Sequence, residues 1–499
     1  MPATPDIVIL GSGMGGATVA AGLAGSGAKI LILEKGPQLA DGPQARDARA
    51  IFQRGCYRPK EQWFTPQGEG FNPGNYYYAG GNTKFYGAVL FRYRAEDFAE
   101  MHFADGGISP AWPFAYAELE PWYGRAEALY QVRGTLGQDP TEPFHSTPYP
   151  HAPVPDEPAI ARVRERLERA GAKPFSLPLG VDISAWLARA KTGFDAFPDT
   201  RSGKMDAETC GLASALLDPN ITLETGAEVL RLETDANNRI NGVVYRRNGE
   251  EIRLAPRLVI LSMGAVKSAA LLLASADARN RAGLANSSGQ VGRNFMNHNS
   301  AAMLTIDPFE KNDSIYQKTL GINDFYLDDG RCGGPLGNLQ LLGRVTGAIL
   351  KGQVRWAPEW ALNLSSSRTV DWYLMGEDLP RPDSRVTVRD GRVVLDWQRS
   401  NMAAMERLTA RAREMFRAAG YPIVLHRPFD RRVPSHQCGT LKMGLDPASS
   451  VLDVWCRAWD HANLHCIDAS FLPTSAAVNP SLTVAAQALR CAAQIRREL

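Results

Sequence analysis

The run Gly11-Ser12-Gly13-Met14-Gly15-Gly16 narrows what this chain can fold into more than any other feature, because of what flanks it. Four apolar residues, Ile7 to Leu10, lead into it, and a small-residue stretch with helical spacing follows through Gly22. A second apolar run, Ala28 to Leu33, ends in Glu34. Strand, glycine turn, helix, strand is a βαβ unit, and Ala20, Leu23, Gly27 and Ile30 supply the small and apolar positions that lay such a helix on its sheet. Glycines at 11, 13, 15 and 16 let the backbone turn tightly and approach a pyrophosphate at the helix N-terminus, while Glu34 is placed to bond ribose hydroxyls. The unit reads as a dinucleotide site, since a turn that merely joined strand to helix would not call for the terminal acid. NAD and FAD share this fingerprint.

The rest of the chain sets bounds. With 44% hydrophobic and 22% charged residues among 499, it is long enough for more than one core, and two domains are expected. Lys and Arg number 55 against 53 for Asp and Glu, so a net charge of +2 offers no field for nucleic acid or an anionic membrane. Seven cysteines at 56, 210, 332, 438, 456, 466 and 491 form no C-x-x-C pair, which leaves no zinc, iron–sulfur or haem spacing and no metal expectation. They read as reduced thiols. No signal-peptide pattern and no apolar stretch of ~18 residues occurs, so the expectation is a cytoplasmic protein without a membrane span.

Residues 37 to about 75 lack a sustained period and read as a long surface excursion returning at Gly80-Gly81. Helices are expected from Tyr116 to Arg133, from Ala159 to Ala170 and from Met402 to Ala419. Strands are expected at 221–232, 239–245, 251–261 and 463–467. Those at 301–306, 338–344, 371–376, 385–389 and 392–397 are expected to form one separate, largely antiparallel sheet.

The C-terminal part distinguishes the two dinucleotides. Its segments are Ser435-His436-Gln437-Cys438-Gly439-Thr440-Leu441-Lys442-Met443-Gly444, Asn463-Leu464, Ile467-Asp468-Ala469-Ser470 with Pro473, and Asn479-Pro480-x-x-Thr483. Earlier in the chain stand Gly80-Gly81-Asn82-Thr83, Ser262-Met263-Gly264-Ala265, and Val291-Gly292-Arg293-Asn294 with His298. In order and spacing the sequence resembles the glucose–methanol–choline (GMC) oxidoreductases over nearly its full length. The resemblance implies an α/β fold: a discontinuous, Rossmann-like FAD-binding domain built from residues 1–95, 206–300 and 431–499. It is joined to a second, α+β substrate domain on an antiparallel sheet at 301–430, with 96–205 a helical and extended crossing segment that is partly substrate domain.

What the resemblance further implies is specific to residues. His436 is the base that accepts the hydroxyl proton, with Asn479 its partner at the substrate oxygen. FAD is expected at Gly11, Gly13, Met14, Gly15, Gly16, Glu34, Lys35, Gly80, Gly81, Asn82, Thr83, Val229, Asp468, Ala469, Asn479, Pro480 and Thr483. Where some members attach FAD through a histidine, this chain has Phe85, so non-covalent FAD is expected. Asn479 before Pro480 also has the form of a helix N-cap. His298 and His461 read as structural, His465 as a residue in or beside a strand, and Cys438 as buried packing.

The implied reaction is oxidation of an alcohol to a carbonyl by proton abstraction and hydride transfer to FAD. Trp372, Tyr373 and Glu377 on one expected strand, with Asn338 and Gln340 on another, suggest a sugar, glycoside or polyol. The electron acceptor is dioxygen, a quinone or a separate redox protein. The competing readings are a nicotinamide-dependent dehydrogenase, a flavin hydroxylase or amine oxidase, and a non-catalytic flavin-binding subunit.

Overall fold

A computed structural model describes residues 5–190, 193, 195–199, 203–328, 330, 331, 334–433 and 436–499. Cys332, Pro434 and Ser435 lie outside the described residues. The centre of the fold is a five-stranded sheet in the order Leu464–Cys466, Leu258–Leu261, Ile7–Leu10, Ile30–Glu34 and Ile221–Thr225, with every neighbour parallel. Its inner strands, IVIL and ILILE, are buried along their whole length, as a sheet covered on both faces requires. Strands added after Ile7–Leu10 go to one side, and later ones to the other. The strand order therefore reverses at Ile7–Leu10, and the crevice at such a reversal is where open α/β sheets bind ligands.

The helices Met14–Leu23 and Ser481–Glu498 pack closely: a Cβ placed on Gly22 would stand 2.6 Å from that of Ala492. Arg92 anchors the crossing segment, donating to both Glu127 oxygens at 2.8 and 2.7 Å and to Glu120 at 2.9 Å on the Tyr116–Leu129 helix. All three side chains are buried, so removing Arg92 would leave two carboxylates without a counter-charge.

A second sheet has six antiparallel strands in the order Ile423–Pro428, Asn299–Ile306, Thr369–Gly376, Asn338–Leu341, Leu320–Ile322 and Phe175–Ser176. Alternation gives it two unlike faces. Met303, Leu339, Leu341, Trp372 and Leu374 join Leu408, Ala412 and Phe416 of the Met402–Ala418 helix, and Ile160 and Val163 of the Pro158–Arg169 helix, in one apolar core. Tyr373, Met375, Asn338, Gln340 and Ser300 occupy the opposite, more polar face, in the register Gln340 to Tyr373 and Asn338 to Met375.

Several expected elements differ from the observed ones. The span 221–232 is two strands: Ile221–Thr225 ends at Gly226, whose φ of +69° breaks the run, and Glu228–Thr234 turns into a three-stranded antiparallel sheet. The span 251–261 divides around Pro256, which has no N–H for a ladder, into Glu250–Leu254 and Leu258–Leu261. The strands Arg385–Arg389 and Arg392–Asp396 do not join the six-stranded sheet. They pair with Trp63–Phe64 and Gly70–Phe71 in a sheet of their own, so the expected surface excursion contributes a fully buried Trp63. Among the described residues no helix is long and apolar enough to cross a membrane.

Candidate active site

Three strand ends converge beneath the glycine run. Gly11 has φ +99° and lies so near the neighbouring strand that a Cβ would stand 2.4 Å from Ser262 O; on Gly15 a Cβ would stand 1.8 Å from Ile467 O. Backbone contact here excludes any side chain. Gly13 differs, because a Cβ there meets nothing within 4 Å, and it caps the Met14–Leu23 helix without a side-chain bond. A helix N-terminus behind such a turn is where the pyrophosphate of a dinucleotide is held.

Glu34 lies directly under this loop. One oxygen accepts from Ser12 N at 3.1 Å and Ser12 Oγ at 2.6 Å, the other from Gly36 N at 2.8 Å, and burial raises its carboxyl above the ordinary range. Gly80 N donates to Ser12 Oγ at 3.1 Å, and a Cβ on Gly81 would stand 3.2 Å from Gly13 Cα, so the 80–83 turn abuts the glycine run. Thr83 Oγ1 shapes that turn by donating to Gly80 O at 2.6 Å, and Asn82 Oδ1 accepts from Tyr76 N at 2.7 Å. Asp468 accepts from Ser268 Oγ at 2.6 Å, Gly264 N at 3.0 Å and Ser470 N at 2.8 Å, just ahead of Ala469. Thr483 Oγ1 bonds Tyr123 Oη at 2.8 Å. Lys35 is directed elsewhere: its Nζ pairs with Glu228 at 2.9 Å, both side chains being more than a third exposed, beside the half-buried Val229.

His436 is brought to this region by a short antiparallel bridge. Cys438 N donates to Met296 O at 2.9 Å and Met296 N to Cys438 O at 3.0 Å. Moving two residues forward from Met296 and two back from Cys438 places His298 opposite His436, and their Nδ1 atoms are 2.7 Å apart. His298, read from the sequence as structural, therefore stands beside His436 in the site. Its signal was present in the sequence, beside the Val291-Gly292-Arg293-Asn294 block, but nothing in a separation of 138 residues indicates the meeting. His436 has φ +67°, a conformation that costs a non-glycine residue energy and that clusters at functional sites. Burial, with His298 and the Lys318 cation, holds its imidazole well below the usual range. Burial takes His298 down to about 4.

On the other side of the ring, His436 Nε2 lies 3.3 Å from Asn479 Nδ2, and Asn479 Oδ1 accepts from Gln340 Nε2 at 3.2 Å. Asn479 does not cap the last helix; Pro480 occupies the cap position before Ser481–Glu498, and the Asn479 amide is engaged by His436 and Gln340 instead. Gln340 ties the polar face of the six-stranded sheet to the histidine. Gln340 Oε1 and Asn338 Oδ1 on that face are buried without a partner, two acceptors suited to ligand hydroxyls.

Two of the residues expected to meet substrate are engaged by the protein itself. Trp372 is turned into the helix-side core with Phe416, and Glu377 accepts from Ser109 Oγ at 2.7 Å, burial raising its carboxyl to about 8. Tyr373 is on the polar face of the six-stranded sheet, donating to Ser300 Oγ at 2.9 Å. His461 is held by Asn238 O at 2.6 Å and Ala285 N at 3.0 Å, His465 is buried in the Leu464–Cys466 strand, and Cys438 is buried with its thiol pushed well up. Among the described residues no cluster of His, Cys, Asp or Glu is arranged to hold a metal.

Known proteins resemble this chain in sequence and in fold. Residues 6–293 match the FAD dependent oxidoreductase family, and residues 380–488 match the GMC oxidoreductase family. The 6'''-hydroxyparomomycin C oxidase of Streptomyces lividus is 29% identical over 99% of this chain and 92% of its own length. The paromamine 6'-oxidase of Streptomyces fradiae is 28% identical with the same coverage. Among solved structures, the pyridoxine 4-oxidase from Mesorbium loti shares the fold, with a TM-score of 0.66 at 18% identity over 99% of both chains. With the dinucleotide thereby assigned as FAD and the first match covering more than half its length, the chain belongs to the FAD-dependent oxidoreductases, in the GMC family.

Proposed function

We propose that this protein oxidises a CH–OH carbon of a sugar, glycoside or polyol, with His436 taking the hydroxyl proton and Asn479 holding the same oxygen. The observation that carries this reading is a half-buried, neutral imidazole whose Nε2 stands 3.3 Å from the Asn479 amide, against the polar face of the six-stranded sheet. A neutral imidazole is the proton-accepting form. The Asn479 Nδ2 group has two N–H bonds, so one remains for substrate while the other is directed at His436. Gln340 Oε1 and Asn338 Oδ1 supply acceptors for further hydroxyls, which suits a polyhydroxylated molecule. The similarity to oxidases of 6'''-hydroxyparomomycin C and paromamine supports the same substrate class.

The FAD would be held by the loop of Gly11, Gly13, Met14, Gly15 and Gly16, by Glu34, by the turn Gly80-Gly81-Asn82-Thr83, and by Asp468-Ala469 and Asn479-Pro480 through Thr483. Bound there, it supplies the two-electron acceptor that takes the hydride. The chain's own contribution is to fix the carbinol between His436 and that acceptor and to exclude water, so orientation contributes much of the rate. The flavin is bound without a covalent link: Phe85 stacks on Tyr76 with centroids 3.8 Å apart and offers no nitrogen for attachment. Electrons then pass to dioxygen, a quinone or a separate redox protein. A cytoplasmic location accords with six described cysteines that are all free thiols.

Three outcomes are expected. His436→Ala retains FAD but slows anaerobic flavin reduction by about a hundredfold or more, and Asn479→Ala slows it less because the base remains; reduction at the wild-type rate in the first variant would remove His436 from its role. Because burial depresses the His436 pKa, the proton-accepting form persists below the ordinary imidazole range. The rate of flavin reduction should therefore hold as pH falls through ~6.5 and decline only further into acid, whereas a decline centred near ~6.5 would contradict His436 as the desolvated base. Acid precipitation of the holoenzyme should leave the yellow colour in the supernatant; colour retained in the pellet would indicate a covalent link.

A further inference from the structure

The contact between the two histidines has a direction that the chemistry of its far end determines. A neutral imidazole carries one N–H and one bare nitrogen. Ser475 O, a carbonyl that can only accept, lies 2.8 Å from His298 Nε2 and also receives Tyr93 Oη at 2.8 Å. His298 must donate from Nε2, and with its pKa held near 4 by burial its Nδ1 is bare at neutral pH. That bare nitrogen stands 2.7 Å from His436 Nδ1, so His436 is the donor and carries its single proton on Nδ1. Its Nε2 is then the bare nitrogen, beside the Asn479 amide N–H at 3.3 Å, and Asn479 Oδ1 receives Gln340 Nε2 at 3.2 Å. The hydrogen bonds linking Gln340, Asn479, His436 and His298 thus all run in one direction, toward the Ser475 carbonyl.

We propose that His298 is a positioning residue for the oxidation: its Nδ1 lone pair holds His436 in the Nδ1–H form, turns the bare Nε2 to the substrate, and steadies the ring once Nε2 has taken the proton. This rests on the reading of His436 as the base. In the balanced step the substrate O–H proton goes to His436 Nε2, the C–H hydrogen leaves with its electron pair to the flavin, and the carbonyl forms. The imidazolium so produced shares its Nδ1–H with His298. Among the described residues no carboxylate bonds His436, and Lys318 opposes its positive charge. A neutral acceptor orients the ring without making it so basic that it is already protonated before substrate arrives.

The assembly around His298 fits this role. The Met296–Cys438 bridge places the two rings opposite one another, with centroids 4.8 Å apart and planes at 77°. Ser475 is itself fixed, its Oγ donating to Asp378 O at 3.0 Å and accepting from Asp378 N at 3.1 Å. Tyr93 follows Arg92, which is tied to the Tyr116–Leu129 helix, so the terminal acceptor is held from two directions.

The first test needs no variant. Long-range 15N–1H spectra of the histidine-labelled holoenzyme should show His436 protonated on Nδ1 and His298 protonated on Nε2; the reverse forms, or a charged His298 at pH 7, would overturn the proposal. Two variants then separate function from packing. His298→Leu fills the space without an acceptor, and His298→Asn returns an amide oxygen close to the Nδ1 position. The leucine variant should lose the single Nδ1–H form of His436 and slow anaerobic flavin reduction by about tenfold or more. The asparagine variant should restore both, with KM changed little in either. Equal rates in the two variants, or no slowing in the leucine variant, would overturn the proposal. If His298→Leu is unaffected while His436→Ala is inactive, the base stands and only the role of His298 falls; if His436→Ala is itself active, the underlying reading falls.

Discussion

The structure depends on backbone packed against backbone at the carboxyl ends of three parallel strands. Gly11 and Gly15 touch the turns that follow Leu258–Leu261 and Leu464–Cys466 so closely that a single methyl group would collide with carbonyl oxygens. The N-terminal βαβ unit, the middle of the chain and the C-terminal segment are thereby locked into one crevice. The dinucleotide loop and the histidine loop, more than 400 residues apart in sequence, can share a site because Asp468 bonds Gly264 and Ser268 on one side while Gly439 N donates to Ala469 O on the other.

From that crevice the chemistry follows by burial. Desolvation favours the neutral form of both His436 and His298, and among the described residues no carboxylate bonds His436. The six-stranded sheet separates two tasks between its faces. Trp372 and its neighbours stabilise the molecule against the Met402–Ala418 helix, while Gln340 and Tyr373 are on the opposite, polar face, where Gln340 meets Asn479. A strand alternating between such different environments shows why an aromatic residue near a site need not be part of it.

Much of this was legible in the sequence because local chemistry dictated it. The glycine run could only be a close-approach turn, continuous apolar runs could only be buried parallel strands, and the Met402–Ala418 helix follows from its spacing. Strand ends were less legible where one residue decides them: Gly226 and Pro256 each divide what reads as a single strand. Contacts between distant segments were least legible. The pairing of Arg385–Asp396 with Trp63–Phe71 and the meeting of His298 with His436 arise from tertiary register, which no local pattern records. The side of the sheet on which Trp372 lies depends on which face receives a helix, and Trp372 reads the same in sequence on either.

The central claim is that a carbohydrate or polyol hydroxyl reduces the bound flavin directly. Anaerobic stopped-flow absorbance of the holoenzyme near ~450 nm tests it, using a panel of sugars, glycosides and polyols, with simple amines as controls. The account predicts bleaching by members of the hydroxyl panel, slowed when the carbinol carbon carries deuterium. A flavin that none of them bleaches, or that an amine bleaches instead, would contradict it.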